Sequence, residues 1–252
     1  MKSFLLTLLL VLSLVSPSNA NPEEEPPYIN AVGILYSQDQ AGTMNMLCTL
    51  TAYEKSPTGY RFISAAHCIG SDNVDKERSA RSEKVFYMTF DEISKITKKF
   101  HPAKVVWVGY QSRGEDLAVF QVDTTERWGT IPLGDEQTLK DGALIINIAS
   151  PLGLGLQTFH GTISKVVLDR PVTQGTINWR GTLVLQLPGV NGGSSGSAII
   201  SAEQKAIVGF LVGAIDSGTI IGIPVSRFKA VAKAVAETKY KWWLNTIEVN
   251  PD

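Results

Sequence analysis

Short apolar runs, punctuated by Gly, Pro, Asp and Ser, recur along the whole chain and constrain it to a β protein. They lie at 31–36, 85–90, 105–110, 117–122, 144–149, 183–187, 206–215 and 220–225. Val, Ile, Phe and Tyr are plentiful in them, and each is about 5 to 10 residues long, as strands of a barrel or sandwich are. The stretch 123–131 lacks this pattern and divides the runs into two sets of similar length, so it is the expected linker between two barrels. With 252 residues, 44% of them hydrophobic and 19% charged, the chain is long enough to build a substantial core.

One helix is expected at the end. Ser226 is placed to cap it, and Phe228, Val231, Ala232 and Val235 share one face at helical spacing. Lys229, Lys233 and Glu237 share the other face, and Trp242 and Trp243 beyond it read as packing residues. The expected organisation is 1–20 as a signal peptide, 21–30 as a Pro/Glu-rich lead, 31–125 as a first β-barrel, 126–225 as a second, and 226–252 as a C-terminal helix and tail.

The signal peptide is read from Lys2, the almost wholly apolar run 4–15 and the small residues around Ala20. That run is shorter than the about 20 residues a membrane-spanning helix needs, so no stable membrane insertion is expected once it is removed. The chain is therefore expected to be secreted or periplasmic. An oxidising compartment lets its two cysteines, Cys48 and Cys68, bridge; otherwise they are buried thiols. A net charge of −1 carries no basic surplus, so nucleic acid is not an expected partner. Three histidines without HExxH or CxxC spacing support no metal site, and no cofactor is expected.

Three stretches carry chemistry: Ser64-Ala65-Ala66-His67-Cys68, Gly114-Glu115-Asp116-Leu117-Ala118-Val119, and Asn191-Gly192-Gly193-Ser194-Ser195-Gly196-Ser197. Each alone has a bland reading: a structural histidine, a turn-capping aspartate, a Gly/Ser loop. Together they meet the needs of acyl transfer. A serine hydroxyl becomes a nucleophile when a base takes its proton. Histidine is that base near neutral pH, and a buried carboxylate holds its tautomer. The N–H groups of Gly193 and Ser195 then form the oxyanion hole. His67, Asp116 and Ser195 are the expected catalytic residues.

Chain order separates this reading from its rivals. Gly192-Gly193-Ser194-Ser195-Gly196 also fits a G-x-S-x-G elbow with Ser194 as nucleophile, but that arrangement needs a histidine after the serine. His67, His101 and His160 all precede it. The subtilisin order needs an alternating α/β chain, which is absent here. Glu115 adjoins Asp116, but alternation along the strand sends the two side chains to opposite sides. His101 and His160 read as structural or surface residues. A non-catalytic protein that binds through the same fold is the alternative from another class; it would be marked by a lost member of the three, and none is lost.

These motifs resemble the trypsin-like serine protease superfamily, and in the second half its HtrA/Deg branch. "SAAHC" with the upstream Cys48 resembles the histidine motif with its local disulfide, and "EDLAVFQV" the strand carrying the aspartate. "PLGDEQTLKDGALIINIASPLGLGLQTFHGTIS" resembles the opening of the second barrel, "VNGGSSGSAII" the nucleophile loop, and "GIPVSRFKAV" the last strand and its helix. The resemblance covers roughly 31–237. It implies an all-β fold of two packed antiparallel β-barrels with a C-terminal helix, the site lying in the cleft between them. It implies a serine endopeptidase whose partners are protein or peptide substrates.

Ser194 stands where many such zymogens carry an aspartate that pairs with a new N-terminus, so no further cut is expected for activity. The resemblance also locates the pocket for the residue before the scissile bond. Its floor, 187–190, has no acid, and no histidine follows Ser195 to bind glutamate. Val190, Gly213, Ala214 and Ile215 are the expected walls. An uncharged pocket leaves a buried charge unpaired, so small or medium aliphatic residues are the expected choice.

Overall fold

The computed structural model describes residues 28–70, 85–90, 99–109, 115–166, 172–174, 177–179 and 181–237. The signal peptide, Gly114, Trp242 and Trp243 lie outside the described residues.

Seven strands make the first unit: β1 (Val32–Gln38), β2 (Met44–Ser56), β3 (Gly59–Ser64), β4 (Val85–Thr89), β5 (His101–Pro102), β6 (Lys104–Val108) and β7 (Ala118–Asp123). They pair antiparallel in the order β5-β4-β1-β2-β3-β7-β6 and form a half-barrel. Register shifts at Leu35/Tyr36, Ala52/Glu54 and Val105/Trp107 mark irregularities that bend the sheet. Leu35, Leu50, Phe62, Met88 and Phe120 are buried on the first unit's strands.

The second unit closes. β8 (Leu144–Ala149), β9 (Gln157–Val166), β12 (Leu183–Gln186), β13 (Ala198–Ser201), β14 (Ala206–Ala214) and β15 (Thr219–Pro224) form a six-stranded barrel in the order β12-β15-β14-β13-β8-β9. β10 (Val172–Gln174) and β11 (Ile177–Trp179) pair separately as a hairpin. β14 reads as an unbroken apolar run from Ala206 to Val212 because all seven residues are buried. Two barrel-type units of antiparallel strands with one helix agree with the fold that the motifs imply.

The segment after β7 crosses the first unit. Trp128 N–H donates to the Tyr60 hydroxyl, Gly129 N–H to Asn30 O and Ile131 N–H to Ala52 O. Helix α1 (Val225–Glu237) then joins the two units from outside. Its Phe228 is fully buried, edge-on to Tyr53 of β2 at 4.8 Å and to Phe210 of β14 at 5.3 Å. Such aromatic pairs add about 0.5–1.5 kcal/mol beyond their buried area.

The helix begins at Val225, so Ser226 lies inside its first turn rather than before it. The exposed N-terminal N–H groups still need acceptors. Buried Glu136, 90 residues upstream, supplies one: its Oε2 accepts from Ser226 N–H at 3.1 Å.

Candidate active site

β3 ends at Ser64, and a single 3-10 turn, Ala66–Ile69, carries His67 out of the sheet. Asp116 precedes β7, which pairs with β3 through Ser64↔Ala118. Neighbouring strands thus deliver the two residues side by side. Asp116 is wholly buried and grips His67 twice. Its Oδ1 accepts from the His67 backbone N–H at 2.7 Å, and its Oδ2 lies 2.6 Å from Nδ1 of the ring. Nδ1 is thus the ring nitrogen committed to the carboxylate. The ring is 29% exposed, enough to meet a ligand.

Glu115 interacts instead with Arg227 of α1, a guanidinium whose pKa burial lowers and Glu115 raises in part. His101 is buried on β5 against Trp128, ring centroids 4.9 Å apart. His160 is exposed on β9.

The loop holding Ser195 connects β12 to β13, and its hydrogen bonds can be followed group by group. Gly192 N–H donates to Asn191 Oδ1. Ser194 N–H donates to Asn191 O, Gly196 N–H to Leu211 O, and Ser197 N–H to Ser194 O. Gly192 O accepts from Leu152 N–H at 2.7 Å, Gly193 O from the Thr49 hydroxyl at 2.9 Å, and Ser195 O from Thr49 N–H at 3.1 Å. Among the described residues, the N–H groups of Gly193 and Ser195 meet no acceptor. Both residues are partly exposed, so these two donors are open to an acceptor from outside the loop.

Their direction follows from peptide planarity. In a trans peptide the C=O and the following N–H point oppositely. Leu152 N–H holds Gly192 O, so the Gly193 N–H is turned the other way. Ser197 N–H holds Ser194 O, which does the same for Ser195 N–H. Two glycines are required here. Gly193 has φ +94°, and a Cβ on it would sit 2.6 Å from Ser150 O. Gly196 has φ +82°, and a Cβ there would collide with Ser64 Oγ and Ala65 N. The Ser195 loop therefore packs directly on the segment that leads into His67.

Ser194, fully buried, keeps its hydroxyl within the turn and accepts from Asn191 N–H at 3.3 Å. The two cysteines form a disulfide that ties β2 to the His67 turn. Cys48, His67 and Cys68 are the one grouping of potential metal ligands among the described residues, and the bridge removes the thiolates such a site needs.

A cavity of about 450 Å³ opens beside Ser195. Val190, Leu211, Gly213, Ala214, Asp216 and Ile220 are among its walls. Of the four residues expected as pocket walls, Val190, Gly213 and Ala214 line this cavity, whereas Ile215 does not and is 53% exposed. Ile215 lies just past the end of β14, in the hairpin, where its N–H donates to Thr219 O. Ile220 takes its place, paired across the hairpin with Ala214. Asp216, at the hairpin tip, accepts from Gly218 and Thr219 N–H at 2.9 and 2.7 Å. Those donors hold its carboxyl below the usual carboxylate range. No local sequence motif marks Thr49, Leu152 or Ile220.

Residues 51–210 match the family model described as a trypsin-like peptidase domain. Among solved structures, the chain is similar to the HtrA-type protease AlgW with a decapeptide, at TM-score 0.64 and 16% identity over 84% of this chain and 66% of that one. It is also similar to a variant of AlgW with a tripeptide, at TM-score 0.63 and 16% identity over 84% and 62%. The chain thus spans just under two thirds of the length of either neighbour, and at this identity the likeness is one of fold.

Proposed function

The chain belongs to the trypsin-like peptidase family, and on that premise we propose that it is a secreted or periplasmic serine endopeptidase working through His67, Asp116 and Ser195. One observation carries this reading: Gly192 O and Ser194 O are each bonded by another backbone N–H, which turns the Gly193 and Ser195 N–H groups away from those partners and leaves both donors unspent in the loop. In the proposed reaction, His67 Nε2 takes the proton of Ser195 Oγ as the oxygen attacks the peptide carbonyl carbon. The carbonyl oxygen becomes an oxyanion held by the Gly193 and Ser195 N–H groups. Asp116 holds the ring in place and stabilises the imidazolium. His67 then gives the proton to the leaving amine, leaving an acyl-enzyme that water hydrolyses by the same route. No cofactor enters these steps.

The cavity supports a preference for small or medium aliphatic residues before the scissile bond. Val190, Leu211, Ala214 and Ile220 give it apolar walls, and its one carboxylate, Asp216, is solvent-exposed at the hairpin tip. An acidic side chain would meet that charge unfavourably, whereas a basic one would gain only a screened attraction. The disulfide supports export to an oxidising compartment. The peptides held by the neighbouring proteases support peptides as substrates.

Cleavage profiling on a diverse peptide library tests the reading. Cuts should follow Val, Ala, Ile or Leu, and His67→Ala should abolish them. A dominant Lys, Arg or Glu at that position would overturn the specificity, and full activity in His67→Ala would overturn the mechanism.

A further inference from the structure

Thr49 sits at the junction of the two barrels and uses every hydrogen-bonding group it has. It is wholly buried on β2, immediately after Cys48. Its N–H donates to Ser195 O at 3.1 Å and its C=O accepts from Ser64 Oγ at 2.7 Å. Its hydroxyl donates to Gly193 O at 2.9 Å and accepts from Ser150 N–H at 3.0 Å. The two main-chain bonds are open to any residue except proline. The hydroxyl's pair is not, because it needs one small group that donates and accepts at once.

The hydroxyl matters through what its two partners do. Gly193 lies in the left-handed region at φ +94°, where the lack of a side chain leaves its backbone soft. Its preceding peptide is held by Leu152 N–H on Gly192 O, and its following peptide by the Thr49 hydroxyl on Gly193 O. Ser150 begins the short segment that presents Leu152, itself held at φ +54°. One hydroxyl therefore steadies both supports of Gly193: the carbonyl directly, and the Leu152 segment through Ser150. It does so from the strand bonded by the Cys48–Cys68 disulfide to the His67 turn. The position of the oxyanion donors is thereby referred to the element that carries the base.

We infer that Thr49 is a positioning residue for the reaction, its side-chain hydroxyl setting the direction of the Gly193 N–H. This rests on the serine-peptidase reading and extends it to a residue that touches no substrate.

The test compares Thr49→Val, which keeps the shape and removes the hydroxyl, with Thr49→Ser, which keeps the hydroxyl. Misplacing a reacting group by about 1 Å costs up to roughly 100-fold in rate, so Thr49→Val should lower kcat about 10- to 100-fold. KM should stay within about 3-fold, since the donors act on the transition state more than on bound substrate. Affinity for a peptide boronic acid, whose tetrahedral adduct uses the oxyanion donors, should fall in parallel with kcat. Thr49→Ser should recover kcat to within about 3-fold of the parent. If near-UV circular dichroism shows Thr49→Val unfolded, Thr49→Ala takes its place with the same expected pattern.

An unchanged kcat, a loss confined to KM, or equal losses in the Val and Ser variants would each overturn the proposal. Two controls separate it from the reading beneath it. If the parent cleaves peptides and Ser195→Ala does not, a failure belongs to Thr49 alone. A folded parent that cleaves nothing takes both down.

Discussion

Replacing both cysteines, as Cys48→Ala with Cys68→Ala, has a cost that can be worked from chain length. The bridged residues are 20 apart. A loop of that size, released in the unfolded chain, destabilises the fold by about 3.3 kcal/mol at 25 °C on the chain-entropy account. Both cysteines are buried, so the missing sulfurs also leave space that adds to the loss. In a protein of this size each kcal/mol moves Tm by about 2–4 °C, which gives a fall of roughly 6–13 °C. Differential scanning calorimetry under non-reducing conditions reads it directly. Treating the parent with a thiol reductant should move its Tm the same way while leaving the double variant unchanged. A fall of less than about 3 °C would refute the reasoning, since the bridge would then restrict little in the unfolded chain.

Three further outcomes are expected. Gly196→Ala should reduce kcat at least about 10-fold and lower Tm in the same preparation, because a side chain there both opposes φ +82° and meets Ser64 and Ala65; parent-like kinetics would contradict that packing. Burial holds the His101 pKa below its ordinary value despite nearby Glu126, with Lys99 opposing protonation too. The unfolded chain thus takes the proton first as pH falls, and stability present above about pH 6.5 is lost below it. His101→Phe should flatten the urea-denaturation stability curve between about pH 7 and 5, and an unchanged slope would count against it. Asp216→Asn should raise cleavage after Glu relative to Val, read as a ratio of kcat/KM values; an unchanged ratio would place Asp216 outside the specificity pocket.

What the sequence made legible was local. The strand runs follow from β-branched and aromatic residues between turn formers, and β14 is apolar from Ala206 to Val212 because that whole stretch is buried. His67, Asp116, Gly193 and Ser195 stand out because each sits in a short pattern whose chemistry explains the residue types. The rest depends on which strands meet. Thr49 reads as one more residue of a β-rich run until Gly193, 144 positions away, is brought against it. Leu152 acts through its N–H, which the residue's identity does not announce. The resemblance places Ile215 on the pocket wall from its position along the chain alone, whereas Ile220 comes there through the hairpin register that pairs it with Ala214. The cap of α1 failed to show for the same reason: Glu136 reaches it from another part of the second unit.

The central claim is that Ser195 is the nucleophile activated by His67 and Asp116. A fluorophosphonate probe, followed by intact-mass measurement and peptide mapping, tests it most directly. The account predicts one adduct per chain, located on Ser195, absent in Ser195→Ala and retained in Ser194→Ala. An adduct on Ser194, or a folded protein that takes up no probe, would contradict it.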